Sequence, residues 1–173
     1  MWNVVGSNAQ DGVPKGSSII SNSTSFTIRF DIHILGFDTI NTVDGTTVIF
    51  PRIQDAIRTG EPGSPSSIVY TIPLTVPNEH GFALQSCRTG MIRRVNGMIA
   101  PVPTLRKEAD SISGFVHIIN ASAYAETDHS SWASISYSGI ARNRHIAHLR
   151  IKALRVDPLS GIIEIPKSIE CTV

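Results

Sequence analysis

The stretch SFTIRFDIHIL, residues 25–35, decides the fold class. Phe26, Ile28, Phe30, Ile32 and Ile34 fall on one side of an extended chain, and Thr27, Arg29, Asp31 and His33 fall on the other. Side chains of a strand alternate between two faces, so this period of two predicts a strand with one face in a core and the other in water. A half-wet strand belongs to an antiparallel sheet, because parallel strands are covered on both faces and read as continuous apolar runs.

Working outward, TTVIF (46–50) reads as a short strand and IVYTIPLTV (68–76) as a strand at a sheet edge, since Pro73 cannot donate to a ladder. FPRIQDAIRTG (50–60) is the best helix candidate, with Pro51 in a first-turn position, Ile53 and Ile57 four apart, and Gly60 to end it. GEPGSPSS (60–67) is a loop. Asn96-Gly97 in MIRRVNGMIAPV (91–102) is a hairpin signal. TLRKEADS (104–111) reads as a helical turn or loop, and ISGFVHIINASAYAE (112–126) as one long strand. WASISYSGI (132–140) alternates, residues 141–149 read as a short helix with Ile146 and Leu149 three apart, and LRIKALRVDPLSGIIEIP (149–166) reads as strand, turn and strand. The sum is an α+β fold, mainly antiparallel β-sheet with two or three short helices in a single compact domain. Residues 1–25, rich in Ser, Asn and Gly, read as a flexible arm before a globular domain at 26–173.

A chain of 173 residues with 41% hydrophobic and 17% charged residues is one folded domain and not a disordered segment. Its apolar runs are too short for a membrane-spanning helix, and its first residues, MWNVVGSNAQDGVPKG, do not read as a secretory signal, so any membrane contact is expected to be peripheral. The two cysteines, Cys87 and Cys171, follow no zinc spacing and make no disulfide scaffold. They read as reduced thiols of a cytosolic protein, with their pairing left open. The triplets at Asn22 and Asn120 that match a glycosylation acceptor read as chance.

No catalytic constellation is present in the motifs. Asp31 and His33 share the wet face of a strand and read as a solvated pair. His145 and His148 could share a helix face but have no further metal ligands signalled. Asp128, His129 and Ser130 are adjacent in a loop and cannot face one another for proton relay. The chain is therefore expected not to be an enzyme and to need no cofactor, metal or small-molecule substrate.

The charge is uneven although the net is only +1. Residues 1–79 hold four bases and seven acids, residues 80–156 ten bases and four acids, and residues 157–173 one base and three acids. The run SGIARNRHIAHLRIKALRV (138–156) contains five Lys/Arg and no acid. Arg93, Arg94, Arg142, Arg144, Arg150, Lys152 and Arg155 are the candidate anion-binding residues, for phosphate or a nucleocapsid, because the guanidinium fork suits phosphate oxygens. The run 138–156 holds no Phe, Tyr or Trp, so contact there would be to charge and not to stacked bases.

The element order resembles that of the matrix proteins of rhabdoviruses, of the plant cytorhabdovirus type. It is carried by an arm, the strand SFTIRFDIHIL, a short helix at 50–59, the Arg-rich RTGMIRRVNGMIAPVP, the strand GFVHIINASAY and the end ARNRHIAHLRIKALRVDPLSGIIEIPKSI, over about 26–170. The resemblance implies a structural protein that self-associates, condenses a helical nucleocapsid and links it to the inner face of a membrane during budding. Its implied partners are further copies of itself, viral nucleoprotein–RNA and an acidic membrane surface. Its implied location is the virion beneath the envelope, the host cytoplasm and the inner face of membranes. Self-association would run through Trp2, Val4 and Val5 of the arm. A jelly-roll capsid protein of a small virus is the alternative, and a small hydrolase or sugar-binding β domain a third.

Overall fold

Phe26, Ile28 and Phe30 are buried while Arg29 and Asp31 are exposed, so the alternation that defines the strand survives in the folded chain. The structure is a computed structural model that describes residues 3–4, 13–108, 111–125 and 130–173. Among them the strands are β1 (Asn3–Val4), β2 (Ser18–Ser21), β3 (Phe26–Asp31), β4 (Ile34–Asn41), β5 (Thr47–Ile53), β6 (Ile57–Thr59), β7 (Ser67–Val76) and β8 (Ser86–Thr89). They continue as β9 (Ile92–Asn96), β10 (Thr104–Glu108), β11 (Ser111–Val116), β12 (Ala133–Ala141), β13 (Arg144–Lys152), β14 (Arg155–Asp157), β15 (Ile162–Pro166) and β16 (Ser168–Thr172). The helix described is α1 (Ala121–Tyr124).

Every strand pairing is antiparallel. A sheet of order β1-β7-β13-β12, with β6 also on β7, faces a sheet of order β2-β3-β16-β8. Their inner faces share one core, with Tyr70, Ile72, Leu74, Ala147, Leu149 and Ile151 from the first and Phe26, Ile28, Phe30, Ile169 and Cys171 from the second. The Phe30 and Tyr70 rings meet edge to face at 4.8 Å across that core. Smaller sheets, β14-β15-β9, β4-β5 and β10-β11, complete the molecule. The opening stretch is itself divided, for β3 lies in one sheet and β4 leaves for another after Ile32 and His33.

The mainly antiparallel single domain is as expected, but the helical part of the α+β reading is not. Residues 50–60 are the end of β5, a turn and β6, not a helix. The four-residue spacing misled because Ile53 is buried while Ile57 is 53% exposed, so the two share no apolar face. The chain turns at Asp55, whose φ of 60° lies outside the helical range. Residues 141–149 are the tip of a hairpin and most of its second strand. Arg142 and Asn143 have φ of 48° and 61°, and Ala141 pairs with Arg144 across them, which is the geometry of a two-residue type I′ turn. Ala147, Leu149 and Ile151 are buried at a spacing of two, so the governing period is that of a strand.

The helix among the described residues lies within the stretch read as one long strand. Asn120 caps it, its side chain accepting from the Ser122 N–H at 3.2 Å and from the Ser122 hydroxyl at 2.7 Å. Residues 104–108 are strand β10 rather than a helical turn or loop. Pro73 sits within the ten-residue β7, flanked by β13, not at an outer edge. Its other side falls between β6, which pairs with Ser67–Val69, and β1, which pairs with Leu74 and Thr75, so the missing N–H interrupts no described ladder there. Asn96-Gly97 does not close a hairpin. β9 pairs with β15, and the chain beyond Gly97 crosses to β5, where Ile49 donates to the Met98 carbonyl and Ala100 donates to the Ile49 carbonyl, both at 2.7 Å. Gly97 is glycine because of that crossing. Its φ is 148°, and a Cβ there would lie 2.1 Å from Ile49 Cδ1.

Candidate functional site

Strands β10 and β11 bond only to each other among the described strands. Thr104 pairs with Val116 and Leu105 with Phe115, then a bulge shifts the register so that Lys107 faces Ile112 and Glu108 faces Ser111. Directly opposed residues of an antiparallel pair share a face. Leu105 and Phe115 are 50% and 71% exposed, so this hairpin presents a cross-strand apolar pair to the outside. Ile118, beyond the foot of β11, is exposed as well. Exposed apolar side chains that adjoin one another make this hairpin the candidate docking element among the described residues.

The feet of the hairpin are clamped. Four consecutive carbonyls leading into β10 each accept a hydrogen bond. The Tyr124 hydroxyl donates to Ile99 O at 2.7 Å, and the Ser66 N–H and hydroxyl donate to Ala100 O at 3.1 and 2.6 Å. The Arg58 guanidinium and the His117 ring, whose Nδ1 lies at 3.1 Å, both reach Pro101 O, and the Gly63 N–H donates to Val102 O at 2.9 Å. On the returning side Val43 N–H donates to His117 O at 3.0 Å and Asn120 N–H to Gly63 O at 2.9 Å.

Arg58 is the hub. Its Nε donates to the Ser66 hydroxyl at 2.7 Å, and its guanidinium lies 4.7 Å from the Phe50 ring centroid. Burial pulls its pKa below the ordinary arginine value, and burial raises that of the Tyr124 phenol. The raised phenol keeps the proton that it donates to Ile99 O. The loop 60–67 is the socket for these feet. Gly60 and Gly63 have φ of 132° and 83°, and a Cβ on them would meet Val102 Cγ2 at 2.9 Å and Asn120 Cβ at 3.3 Å. Arg58, Gly63 and Ser66 escaped the sequence reading because their role is contact with residues about 40 positions away, which no local pattern encodes; the only signal was the Pro/Gly/Ser density of 60–67.

The seven candidate anion-binding residues are not gathered into one site. Arg93 and Arg94 lie on β9, and Arg93 stands 5.5 Å from the Phe37 ring. Arg94 Nε is 2.9 Å from Glu164 Oε1, in a cross-strand rung that continues to Arg155. The Arg155 guanidinium lies 4.1 Å over Trp132. Lys152 donates to the Ser130 hydroxyl. Arg142 stands exposed at the tip of the β12–β13 hairpin, Arg144 at the first position of β13 and Arg150 near its end. His145 and His148, three apart on a strand, point to opposite faces, and His145 Nδ1 is 2.9 Å from the Tyr137 hydroxyl. Asp31 and His33 are exposed, and Asp128 and His129 lie outside the described residues. Trp2 and Val5 also lie outside them, while Asn3 and Val4 pair in backbone register with Thr75 and Leu74 of the same chain.

A family model described as Propeptide_C25 matches residues 7–173. No curated protein matches. The fold is similar to a solved structure of the complex of the RgpB pro- and mature domains of Porphyromonas gingivalis, with TM-score 0.72 and 16% identity over 91% of this chain and 82% of that one. It is also similar to a structure that addresses the zymogenic latency of gingipain K from the same organism, with TM-score 0.66 and 18% identity over 99% of this chain and 96% of that one. These matches overturn the resemblance to rhabdovirus matrix proteins, since the family model spans all of 26–170 and the helices at 50–59 and 141–149 that supported the resemblance are strands. The matrix function and the jelly-roll capsid alternative fall with it, as do the viral nucleoprotein–RNA, membrane and self-lattice partners and the virion and host-cell locations.

Proposed function

The chain belongs to the Propeptide_C25 family, and from that premise we propose that it is an inhibitory pro-domain that docks on the mature domain of a C25 peptidase and keeps it latent. It is not an enzyme itself. The observation that carries the reading is the family match over nearly the whole chain. The same arrangement is supported by the pro- and mature domain complex of the similar RgpB structure.

The β10–β11 hairpin is the element we assign to docking. Its Leu105–Phe115 pair is exposed and its feet are fixed by the hydrogen bonds to Ile99–Val102. Fixing the feet lowers the entropy lost when the hairpin is captured, so more of the apolar contact appears as affinity. The partner called for is the peptidase and not RNA or lipid. The test is titration of the cognate C25 peptidase with this protein, wild type and with Leu105→Ser/Phe115→Ser. Inhibition by the wild type and its loss in a variant that melts normally support the assignment. No inhibition by the wild type sinks the pro-domain reading, and an equally inhibitory variant sinks only the hairpin.

A further inference from the structure

Cys87 and Cys171 are the only two cysteines of the chain, and they face each other directly across β8 and β16. Their sulfurs are 2.6 Å apart. Both are free thiols here, close enough for one to donate to the other, so bringing the sulfurs to bonding distance needs little movement of the chain.

The ladder phase agrees. Gly90 N–H donates to Ser168 O at 2.8 Å, which makes Gly90/Ser168 a hydrogen-bonded pair, and counting along the register makes Arg88/Glu170 the next. Cys87/Cys171 is then a non-hydrogen-bonded pair. The opposite edge of β16 gives the same answer, since Phe26 and Val173 exchange bonds at 3.0 and 2.9 Å and Ile32 donates to Lys167 O at 2.9 Å. That pattern turns the backbone groups of Cys171 toward β3 and away from Cys87. Non-hydrogen-bonded pairs bring Cα atoms to about 4.5 Å with the side chains closest, inside the usual disulfide range of about 4.4–6.8 Å.

We propose that Cys87 and Cys171 form a disulfide that staples β8 to the last strand, β16. The reaction is oxidation of two thiols by a disulfide-bearing oxidant. The more accessible Cys87 is the attacking thiolate, favoured by the hydrogen bond from Cys171 and by the nearby Arg155 charge. It displaces one thiolate from the oxidant and forms a mixed disulfide. Cys171, fully buried and the proton donor of the pair, loses its proton and attacks the Cys87 sulfur, releasing the second thiolate. One protein disulfide forms and the oxidant is reduced to two thiols. The cross-link closes a separation of 84 positions and joins the middle of the chain to its last strand.

The experiment incubates the full chain with glutathione disulfide, denatures it without reductant and labels it with a maleimide. The expected result is an intact mass lower by two hydrogens, no label, and a linked peptide pair containing Cys87 and Cys171. Reductant should lower the melting midpoint by roughly 10 °C, as expected for a cross-link closing so long a loop in a domain of this size. Cys87→Ser, at the less buried site, should leave one labelled thiol and a midpoint insensitive to reductant. Two labelled thiols in the wild type, a link found only between chains, or a midpoint unmoved by reductant would each overturn the staple.

Discussion

Two hairpins of this molecule differ in what they offer a partner. The β12–β13 hairpin carries the basic run of 138–156, yet β13 lies in the middle of the larger sheet with Ala147, Leu149 and Ile151 in the core. The β10–β11 hairpin carries less conspicuous sequence, bonds to no other described strand and exposes Leu105 and Phe115. Charge density attracts notice in a sequence, but part of it meets partners within the molecule, Trp132 at Arg155 in this run and Glu164 at Arg94 and Phe37 at Arg93 on β9, while Arg142, Arg144 and Arg150 stand exposed. An exposed apolar pair gains from being covered by another protein.

The largest expected effect is on docking. Leu105→Ser/Phe115→Ser should weaken inhibition of the cognate peptidase by about 100-fold or more, two hot-spot side chains being removed together. Inhibition constants and melting curves measured side by side decide this. If Arg142→Ser/Arg144→Ser/Arg150→Ser weakens inhibition more than the apolar double variant does, the roles of the two hairpins are reversed.

Next comes stability. Leu149→Ala in β13 should cost about 2–5 kcal/mol, because the side chain is fully buried and leaves a cavity. Phe115→Ala should cost no more than about 0.5 kcal/mol, as expected for a surface side chain. Urea unfolding of both variants separates a core hairpin from a surface one, and a large loss for Phe115→Ala would show that it packs inward. The clamp is intermediate. Ser66→Ala removes a buried hydroxyl that donates to Ala100 O and accepts from Arg58, at a cost of about 1–3 kcal/mol. Amide exchange should quicken at residues 99–105 before it does in β13, and uniform quickening would mean that the clamp is not local.

The smallest effect is at the basic tip. Arg142→Gly should raise stability by about 0.5 kcal/mol, since Arg142 holds a φ of 48° that glycine adopts without strain. Inhibition should change less than about threefold. A lower melting midpoint would count against the type I′ turn.

Much of the strand content was legible and most of the helix content was not. The period-two runs at Phe26–Phe30 and Ile68–Val76 point to strands because burial on one face is written into alternate positions. The segments 50–60 and 141–149 also hold apolar residues three or four apart, and nothing local shows that Ile57 faces water or that Arg142-Asn143 turns the chain. The docking pair was hidden for a related reason. Leu105 and Phe115 look like any apolar residues until the sheet topology leaves their hairpin without a neighbour.

The sequence by itself determined a single β-rich domain of mainly antiparallel strands, with an asymmetric charge and no catalytic motif. These follow from composition and from the two-residue period, which are local. The tertiary structure alone decided that Gly97 makes room for Ile49, that the loop 60–67 grips the feet of a distant hairpin, and that Cys87 meets Cys171. Each is a contact between segments far apart in the chain, and such contacts are fixed by how sheets stack and register, which no window of sequence contains.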